Sequence, residues 1–68
     1  MRDKPVLTEK QREVVAALSR GLTDKQIAQA FGVSHRTIFD HVELAKKRLA
    51  ASNRAHAVAE AIRRGVIS

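Results

Sequence analysis

The sequence predicts an all-α protein, a compact four-helix domain that contains a helix-turn-helix. Each of the three glycines follows a stretch with helical periodicity, where a left-handed residue commonly ends a helix. A residue suited to capping a helix N-terminus stands before each new stretch. Strand signals are almost absent, and the surroundings of the Val14-Val15 pair fit a helical period better than the alternation of a strand. The predicted helices cover residues 9–20, 24–31, 35–50 and 54–64.

The composition favours one small, basic domain and excludes several kinds of site. The 68 residues include 13 Lys and Arg against 7 Asp and Glu, for a formal net charge of +6, and they include no cysteine. Without cysteine the chain has no disulfide, no thiolate ligand for zinc and no nucleophilic thiol. Its apolar runs are too short to span a membrane, and the residues after Met1 do not resemble a secretory signal. We therefore expect a cytoplasmic domain over residues 7–68, preceded by a flexible leader over residues 1–6.

The first two predicted helices begin with the same capping arrangement. Thr8 is followed three residues later by Gln11, and Thr23 by Gln26, which is the spacing of a capping box. Apolar residues at helical spacing then mark the faces that we expect in the core. These are Val14, Val15 and Leu18 in the first helix, and Ile27, Ala28 and Phe31 in the second.

The third and fourth helices are predicted from N-caps at Ser34 and Asn53. The third has the clearest apolar stripe, while the fourth carries more apolar surface than a single core needs. The predicted core residues are Ile38, Val42, Ala45 and Leu49 in the third helix, and Val58, Ala61, Ile62, Val66 and Ile67 in and after the fourth. The additional smooth surface of the fourth helix comprises Ala55, Ala59, Ala61 and Ile62.

The segment between the second and third helices carries the most specific pattern in the chain. Gly32 allows the backbone to reverse, and Val33 is expected to close the turn against the core. Such a helix-turn-helix can place the outer face of its second helix in a DNA major groove. The alternative is an ordinary helical hairpin without a ligand, which the net charge of +6 disfavours. The residues that form the pattern are Ile27, Ala28, Phe31, Gly32, Val33 and Ile38.

The outer face of the third helix carries candidate base-reading residues. Arg36 can reach guanine O6 and N7 or a phosphate, and Phe39 can pack on a thymine methyl group. Asp40 and Glu43 can accept a hydrogen bond from a cytosine amino group, although acids also repel phosphates. The cations on and beside this face, with open amides at two helix N-termini, favour phosphate binding over a merely solvated surface. They are Arg36, Lys46, Lys47 and Lys25, with the amides that follow Thr23 and Ser34.

The remaining polar residues do not have the spacing of another kind of site. His35 and His41 lie about 240° apart around a helix, so they cannot share one metal ion from one helix face. His41 is better explained as a packed histidine, and Ser34-His35 has no acid at a suitable spacing. We therefore predict no enzyme, no catalytic residue, no metal site and no cofactor.

In their order and spacing, these motifs resemble the LuxR-type (GerE-type) DNA-binding domain over residues 7–67. The resemblance implies a four-helix domain that binds operator DNA as a homodimer, with the third helix in the major groove and the last helix at the dimer interface. The residues that carry it are Leu7-Thr8, Arg12-Glu13-Val14, 21–28, Gly32-Val33-Ser34, Thr37-Ile38, His41-Val42, Lys47-Arg48-Leu49 and 53–58.

The resemblance also implies roles for individual positions. Family members often place Lys or Arg at the first and third base-reading positions, where this chain has Phe39 and Glu43. Gln11 stands where Glu is usual, and it still completes the capping box. The implied backbone contacts are Thr23, Lys25, Ser34, Thr37, Lys46 and Lys47, and the implied base contacts are Phe39, Asp40 and Glu43. The predicted dimer interface comprises Ala55, Ala59, Ile62 and Arg63.

Two other functions fit parts of the sequence. Residues 34–38 and 45–50 also resemble region four of sigma factors, which reads promoter DNA while attached to RNA polymerase but lacks the fourth helix. A protein-interaction module is the other alternative, in which Asp40 and Glu43 face a protein partner. Such a module would have no measurable affinity for duplex DNA at low salt.

Overall fold

In the computed structural model residues 6–68 are described, and among them there are four α-helices and no strand. The helices are α1 (Glu9–Ser19), α2 (Asp24–Phe31), α3 (His35–Leu49) and α4 (Arg54–Arg63). Each begins where the sequence predicts and ends within one residue of its predicted end, so the four-helix prediction is confirmed. Residues 1–5 of the predicted leader lie outside the described residues, and Val6 is half-buried against the core. No helix within residues 6–68 is long and apolar enough to cross a membrane.

Local hydrogen bonds explain why the helices begin at these positions. The capping boxes predicted for α1 and α2 are both complete. In the second box the Gln26 N–H donates to Thr23 Oγ1 at 3.2 Å, and the Thr23 N–H donates to Gln26 Oε1 at 2.9 Å. Ser34 and Asn53 cap α3 and α4 as predicted. Each N-cap contributes about 1 kcal/mol to stability. Thr23 and Ser34 therefore define locally where the two helices of the helix-turn-helix begin.

The central helix of the fold is α3, which contacts the other three. All four residues of its predicted apolar stripe are buried, with at most 1% exposure. Because burial of an Ile or Leu side chain contributes about 1.5–3 kcal/mol, this stripe fixes which face of α3 is turned to solvent. One core cluster comprises Val14, Ala17, Ile27, Ala28, Ile38 and Val42; the other comprises Leu7, Val15, Ala45, Leu49, Ala57, Ala61 and Ile67.

The fourth helix packs back on the core through Ala57 and Ala61. A fourth helix in this place disfavours the sigma-factor alternative, whose module lacks it. Ala61, like Ile62, is predicted both for the core and for the smooth outer surface; the core prediction is confirmed and the surface prediction is wrong, because Ala61 lies one turn from Ala57 on the core side and is fully buried. Ile62, predicted for both faces, lies about 100° further round and is 49% exposed. The exposed apolar surface of α4 therefore comprises Ala55, Ala59 and Ile62, without Ala61.

The turn between α2 and α3 is closed by the backbone. Gly32 ends α2 in the left-handed region, with φ of 69° and ψ of 32°, a conformation that an L side chain rarely adopts. The next N–H, from Val33, donates to the Ala28 carbonyl at 3.1 Å. The Val33 side chain is 41% exposed, so the prediction that it closes the turn against the core is wrong. Its backbone hydrogen bond closes the turn instead.

Candidate nucleic-acid interface

The predicted base-reading residues share the part of α3 that the core leaves free. Arg36, Phe39 and Asp40 are exposed, and Glu43 is half-buried. At about 100° per residue they fall within one 100° arc, and they span two turns of the helix. The fold therefore brings these four residues into one outward patch, called here the α3 patch. Whether each of them contacts a base stays a prediction.

Three side chains at the N-terminal end of the α3 patch contact one another. Arg36 Nε donates to Asp40 Oδ1 at 3.1 Å, across one helical turn. The Arg36 guanidinium also lies 5.8 Å from the centroid of the Phe39 ring, within the range of a cation–π contact. Because its side chain is 80% exposed and yet held on two sides, Arg36 is directed toward solvent in a defined position.

The other acid of the patch is also paired with cations. Glu43 Oε2 accepts a hydrogen bond from Lys46 Nζ at 3.1 Å, and its charge contributes to raising the pKa of Arg54. Glu43 therefore interacts with cations on both α3 and α4. Ion pairs between partly exposed side chains are each worth about 1 kcal/mol or less. A phosphate can therefore compete with Glu43 for Lys46.

The residues predicted to contact the DNA backbone lie around the α3 patch. Lys25 and Lys47 are exposed, and within residues 6–68 neither forms an ion pair. Ser34 Oγ lies 2.9 Å from Thr37 Oγ1 and accepts from the Thr37 N–H at 3.1 Å. Thr23 caps α2 in the same way. Lys25 lies in the first turn of α2 and so adjoins the positive end of that helix dipole, whereas Lys47 lies in the last turn of α3.

An ion-pair cluster that the sequence did not indicate joins the first residues of α2, α3 and α4. Arg54 forms a bidentate pair with Asp24, in which Arg54 Nη2 lies 2.6 Å from Asp24 Oδ2. His35 Nε2 lies 3.7 Å from the same oxygen. The hydrogen bond from Arg54 lowers the pKa of Asp24, with the charges of Arg54 and His35 adding to it and burial opposing it. The bidentate pair joins the N-terminus of α2 to that of α4, and His35 at the start of α3 lies beside it.

One feature of the sequence is consistent with this ion-pair cluster, although it does not identify the partner residue. A cation at the first position of a helix is disfavoured by the helix dipole, so a nearby acid would stabilise Arg54 directly after the N-cap Asn53. Asp24 at the start of α2 is explained by the favourable interaction of an acid with the helix dipole. Its position in the sequence therefore did not indicate that it also pairs with a residue of α4. The two residues are 30 positions apart, beyond the range of any local pattern.

The predicted dimer residues lie on the outer face of α4. Ala55, Ala59 and Ile62 are exposed together, and Arg63 stands at their edge. Arg63 Nη2 donates to Glu60 Oε1 at 2.6 Å. The hydrogen bonds and charge of Arg63, followed by those of Arg64, lower the pKa of Glu60 to about 2 against a smaller opposing effect of burial. Arg64 Nη2 also donates to the last carbonyl of α3, that of Leu49, at 3.2 Å.

The three histidines do not converge on a common site. His35 pairs with Asp24, His56 Nε2 lies 3.7 Å from Glu60, and His41 is half-buried on α3. Within residues 6–68 no group of three His, Asp or Glu side chains is placed to hold a metal ion.

A search of protein families identifies one that covers most of the chain. The family described as "Bacterial regulatory proteins, luxR family" matches residues 5–61. It is a family of transcription regulators rather than of enzymes, which confirms the prediction that the chain is not an enzyme.

Sequence similarity to individual proteins supports the same family assignment. The chain is 37% identical over 62 residues to the spore germination protein GerE of Bacillus subtilis, a match that covers 91% of the chain and 84% of the relative. It is 39% identical over 62 residues to the transcriptional activator protein BjaR1 of Bradyrhizobium diazoefficiens, covering 91% of the chain but 26% of that relative. The chain thus spans nearly all of one relative and about a quarter of the other.

A solved structure, described as that of the transcription factor GerE, has the same fold. It superposes with a TM-score of 0.90 at 29% identity, covering 96% of the chain and 97% of that structure. Sequence and fold agree with the resemblance drawn from the motifs. The chain therefore belongs to the luxR family of bacterial regulatory proteins.

Proposed function

We propose that the chain binds duplex DNA as the DNA-binding domain of a transcriptional regulator, with α3 in the major groove. The observation that carries this proposal is the α3 patch, whose exposed Arg36 and Phe39 stand on a helix fixed from behind by a buried stripe. With 15 residues, α3 is about 22 Å long. A major groove about 12 Å wide admits such a helix and presents donors and acceptors that these side chains can read.

Phosphate contacts support the same orientation. Lys25 and Lys47 are exposed and can reach the strands on either side of the groove. The N-terminus of α2 presents its first amides beside Lys25, and the N-terminus of α3 presents a second set at the opposite end of that helix from Lys47. Thr23, Ser34 and Thr37 add hydroxyl groups at the helix starts. Lys46 would exchange Glu43 for a phosphate at little cost, because that ion pair is partly exposed. These contacts would set the position of α3, while the patch itself reads the bases.

We further propose that two copies of the chain associate through α4 when they bind DNA. Ala55, Ala59 and Ile62 form an exposed apolar stripe, and small residues allow two helices to approach closely. The stripe is short, so the association of the free chains is weak and is strengthened by binding to two half-sites one helical turn apart. Such a role places the chain in the cytoplasm of a bacterium. RNA polymerase is a further proposed partner of the DNA-bound chain.

The experiment that tests DNA binding is a fluorescence-anisotropy titration with duplex DNA at several salt concentrations. We expect the affinity to fall steeply with salt, and the double variant Lys46→Ala/Lys47→Ala to lower the slope of log K against log salt by about 2. Lys10→Ala/Arg12→Ala is the matched control, because it removes two charges from α1, where both are paired with acids. Equal slopes for both variants would refute the role of Lys46 and Lys47. No affinity at low salt would favour the protein-interaction module.

A further inference from the structure

We propose that the N-terminal end of the α3 patch reads a guanine whose neighbouring base pair carries a thymine methyl group. In this proposal Arg36 contacts the guanine, Phe39 contacts the methyl group, and Asp40 is a positioning residue that acts through Arg36. The inference rests on the proposed DNA binding and names the sequence element that the same site would recognise.

The hydrogen bonds of Arg36 determine which of its donors are free. Its Nε donates to Asp40 Oδ1 at 3.1 Å, and neither Nη atom donates to any group within residues 6–68. The two Nη atoms form the outer fork of the planar guanidinium, which matches the spacing of guanine O6 and N7. Adenine offers a donor at the corresponding position and would leave one of these N–H groups without an acceptor. The pair with Asp40 therefore favours guanine.

Phe39 supplies the second half of the recognition element. Its ring is 42% exposed, although the chain has only two phenylalanines and a modest core. Residues three apart on a helix are separated by about 4.5 Å along the axis, and base pairs by about 3.4 Å, so Arg36 and Phe39 can reach adjacent base pairs. The thymine methyl is the apolar group that the major groove presents to such a ring. Because the guanidinium lies 5.8 Å from the centroid of the ring, we place the guanine and the thymine in adjacent base pairs.

Asp40 is placed to position Arg36. Its Oδ1 accepts from Arg36, and this pair offsets the charge of an acid that would otherwise repel phosphates. Oδ2 of Asp40 accepts no hydrogen bond within residues 6–68, so the positioning role does not require Asp40 to turn away from the groove. The role of Asp40 as an acceptor for cytosine stays a separate prediction.

The test begins with selection of binding sites by the full chain from a randomised duplex library. We expect the enriched sites to contain guanine adjacent to thymine. In the enriched duplex, replacement of that guanine by adenine should lower affinity about 5- to 100-fold, and replacement of the thymine by deoxyuridine about 4-fold, since it removes one methyl group. Arg36→Ala should abolish the first effect, and Phe39→Ala most of the second.

Two variants of Asp40 distinguish its positioning of Arg36 from the effect of its negative charge on DNA affinity. Asp40→Ala removes a negative charge, so affinity for unrelated duplex DNA should rise while the preference for guanine over adenine falls several-fold. Asp40→Asn keeps an acceptor oxygen for Arg36 and should retain part of the preference. Glu13→Gln, which removes an equally paired acid from α1, should leave the preference unchanged.

The outcomes distinguish this inference from the proposed function. Salt-dependent binding to all duplexes without enrichment of adjacent guanine and thymine would overturn the inference and leave DNA binding standing. Enrichment of the pair with no effect of deoxyuridine, or with the preference intact in Asp40→Ala, would overturn the assigned role of Phe39 or of Asp40. Absence of any duplex binding would overturn both proposals.

Discussion

The ion pair between Asp24 and Arg54 gives the sharpest test of how the helix-turn-helix is held against α4. We consider the variants Asp24→Asn and Arg54→Gln, singly and together, because a double-mutant cycle isolates the energy of the pair. Both substitutions remove the charge and leave a polar amide; Asp24→Asn also keeps the size of the side chain, whereas Arg54→Gln shortens it. The pair is bidentate and joins residues that are 30 positions apart, so no local helix effect can imitate it.

The expected magnitude follows from the exposure of the two side chains. Asp24 is 10% exposed, so its hydrogen bonds to a charged donor approach the upper range of about 1.5–3 kcal/mol. Arg54 is 41% exposed, and solvent screening brings the pair toward the value of about 1 kcal/mol or less for surface ion pairs. We expect a coupling free energy between these limits, about 1–1.5 kcal/mol. In a chain of this size 1 kcal/mol corresponds to a change in melting temperature of about 4–8 °C.

The assay is urea denaturation followed by far-UV circular dichroism at neutral pH. The control is the same cycle on Lys10 and Glu13 of α1, an exposed pair at 3.5 Å for which we expect at most about 0.5 kcal/mol. A coupling no larger than that of the control would refute the reasoning, because the partly buried pair would then contribute no more than a surface pair.

The pH dependence of the cycle provides an independent check. The pKa of Asp24 is lowered in the folded chain, so its contribution is fully present above the ordinary pKa and is lost as the pH falls through the folded value. The coupling should therefore be constant near neutral pH and decline below about pH 4. A coupling that rises on acidification would contradict the assignment.

Three further predictions concern other parts of the fold. Ala50 ends α3 with φ of 54°, so Ala50→Gly should relieve left-handed strain and stabilise the chain by about 1 kcal/mol in urea denaturation; an unchanged midpoint would show that no strain is present. Ile62→Glu, at an exposed position of α4, should leave the melting temperature nearly unchanged but weaken binding to a duplex with two half-sites far more than to one half-site. Equal effects on both duplexes would argue against an interface through α4. Because the pKa of Glu60 is lowered to about 2, its stabilisation is present above about pH 4.5 and is lost as the pH falls toward 2. The urea midpoints of the wild type and Glu60→Gln should therefore converge on acidification, and a constant difference would contradict the ion-pair network.

The sequence predicted the helices well because their signals are local. The capping boxes at Thr8 and Thr23 depend on residues three positions apart, and both form as expected. The stripe of α3 is set by helical spacing alone, and all of it is buried. The end of α3 was placed within one residue without a glycine signal: Ala50 takes the left-handed conformation that glycine would, and the Ala51 N–H donates to the Lys46 carbonyl at 2.9 Å.

What the sequence did not predict depends on contacts between distant elements. The pairing of Asp24 with Arg54 requires the N-termini of α2 and α4 to meet, which no spacing rule reveals. The burial of Ala61 and the exposure of Ile62 depend on how α4 is rotated about its axis on the core. Both faces of α4 carry apolar residues, so the sequence pattern did not show which face is buried. The candidate base-reading residues were identified by their position on α3, but the support of Arg36 by Asp40 and Phe39 became visible only in the structure.

The central claim, that the outward face of α3 meets duplex DNA, is tested most directly by nuclear magnetic resonance. The isotope-labelled chain would be titrated with a short duplex at low salt, and the amide shifts followed residue by residue. We predict that the largest changes fall on residues 34–47 and at the start of α2, around Thr23 and Lys25. Shifts confined to α1, or no shift at any residue at low salt, would contradict the account.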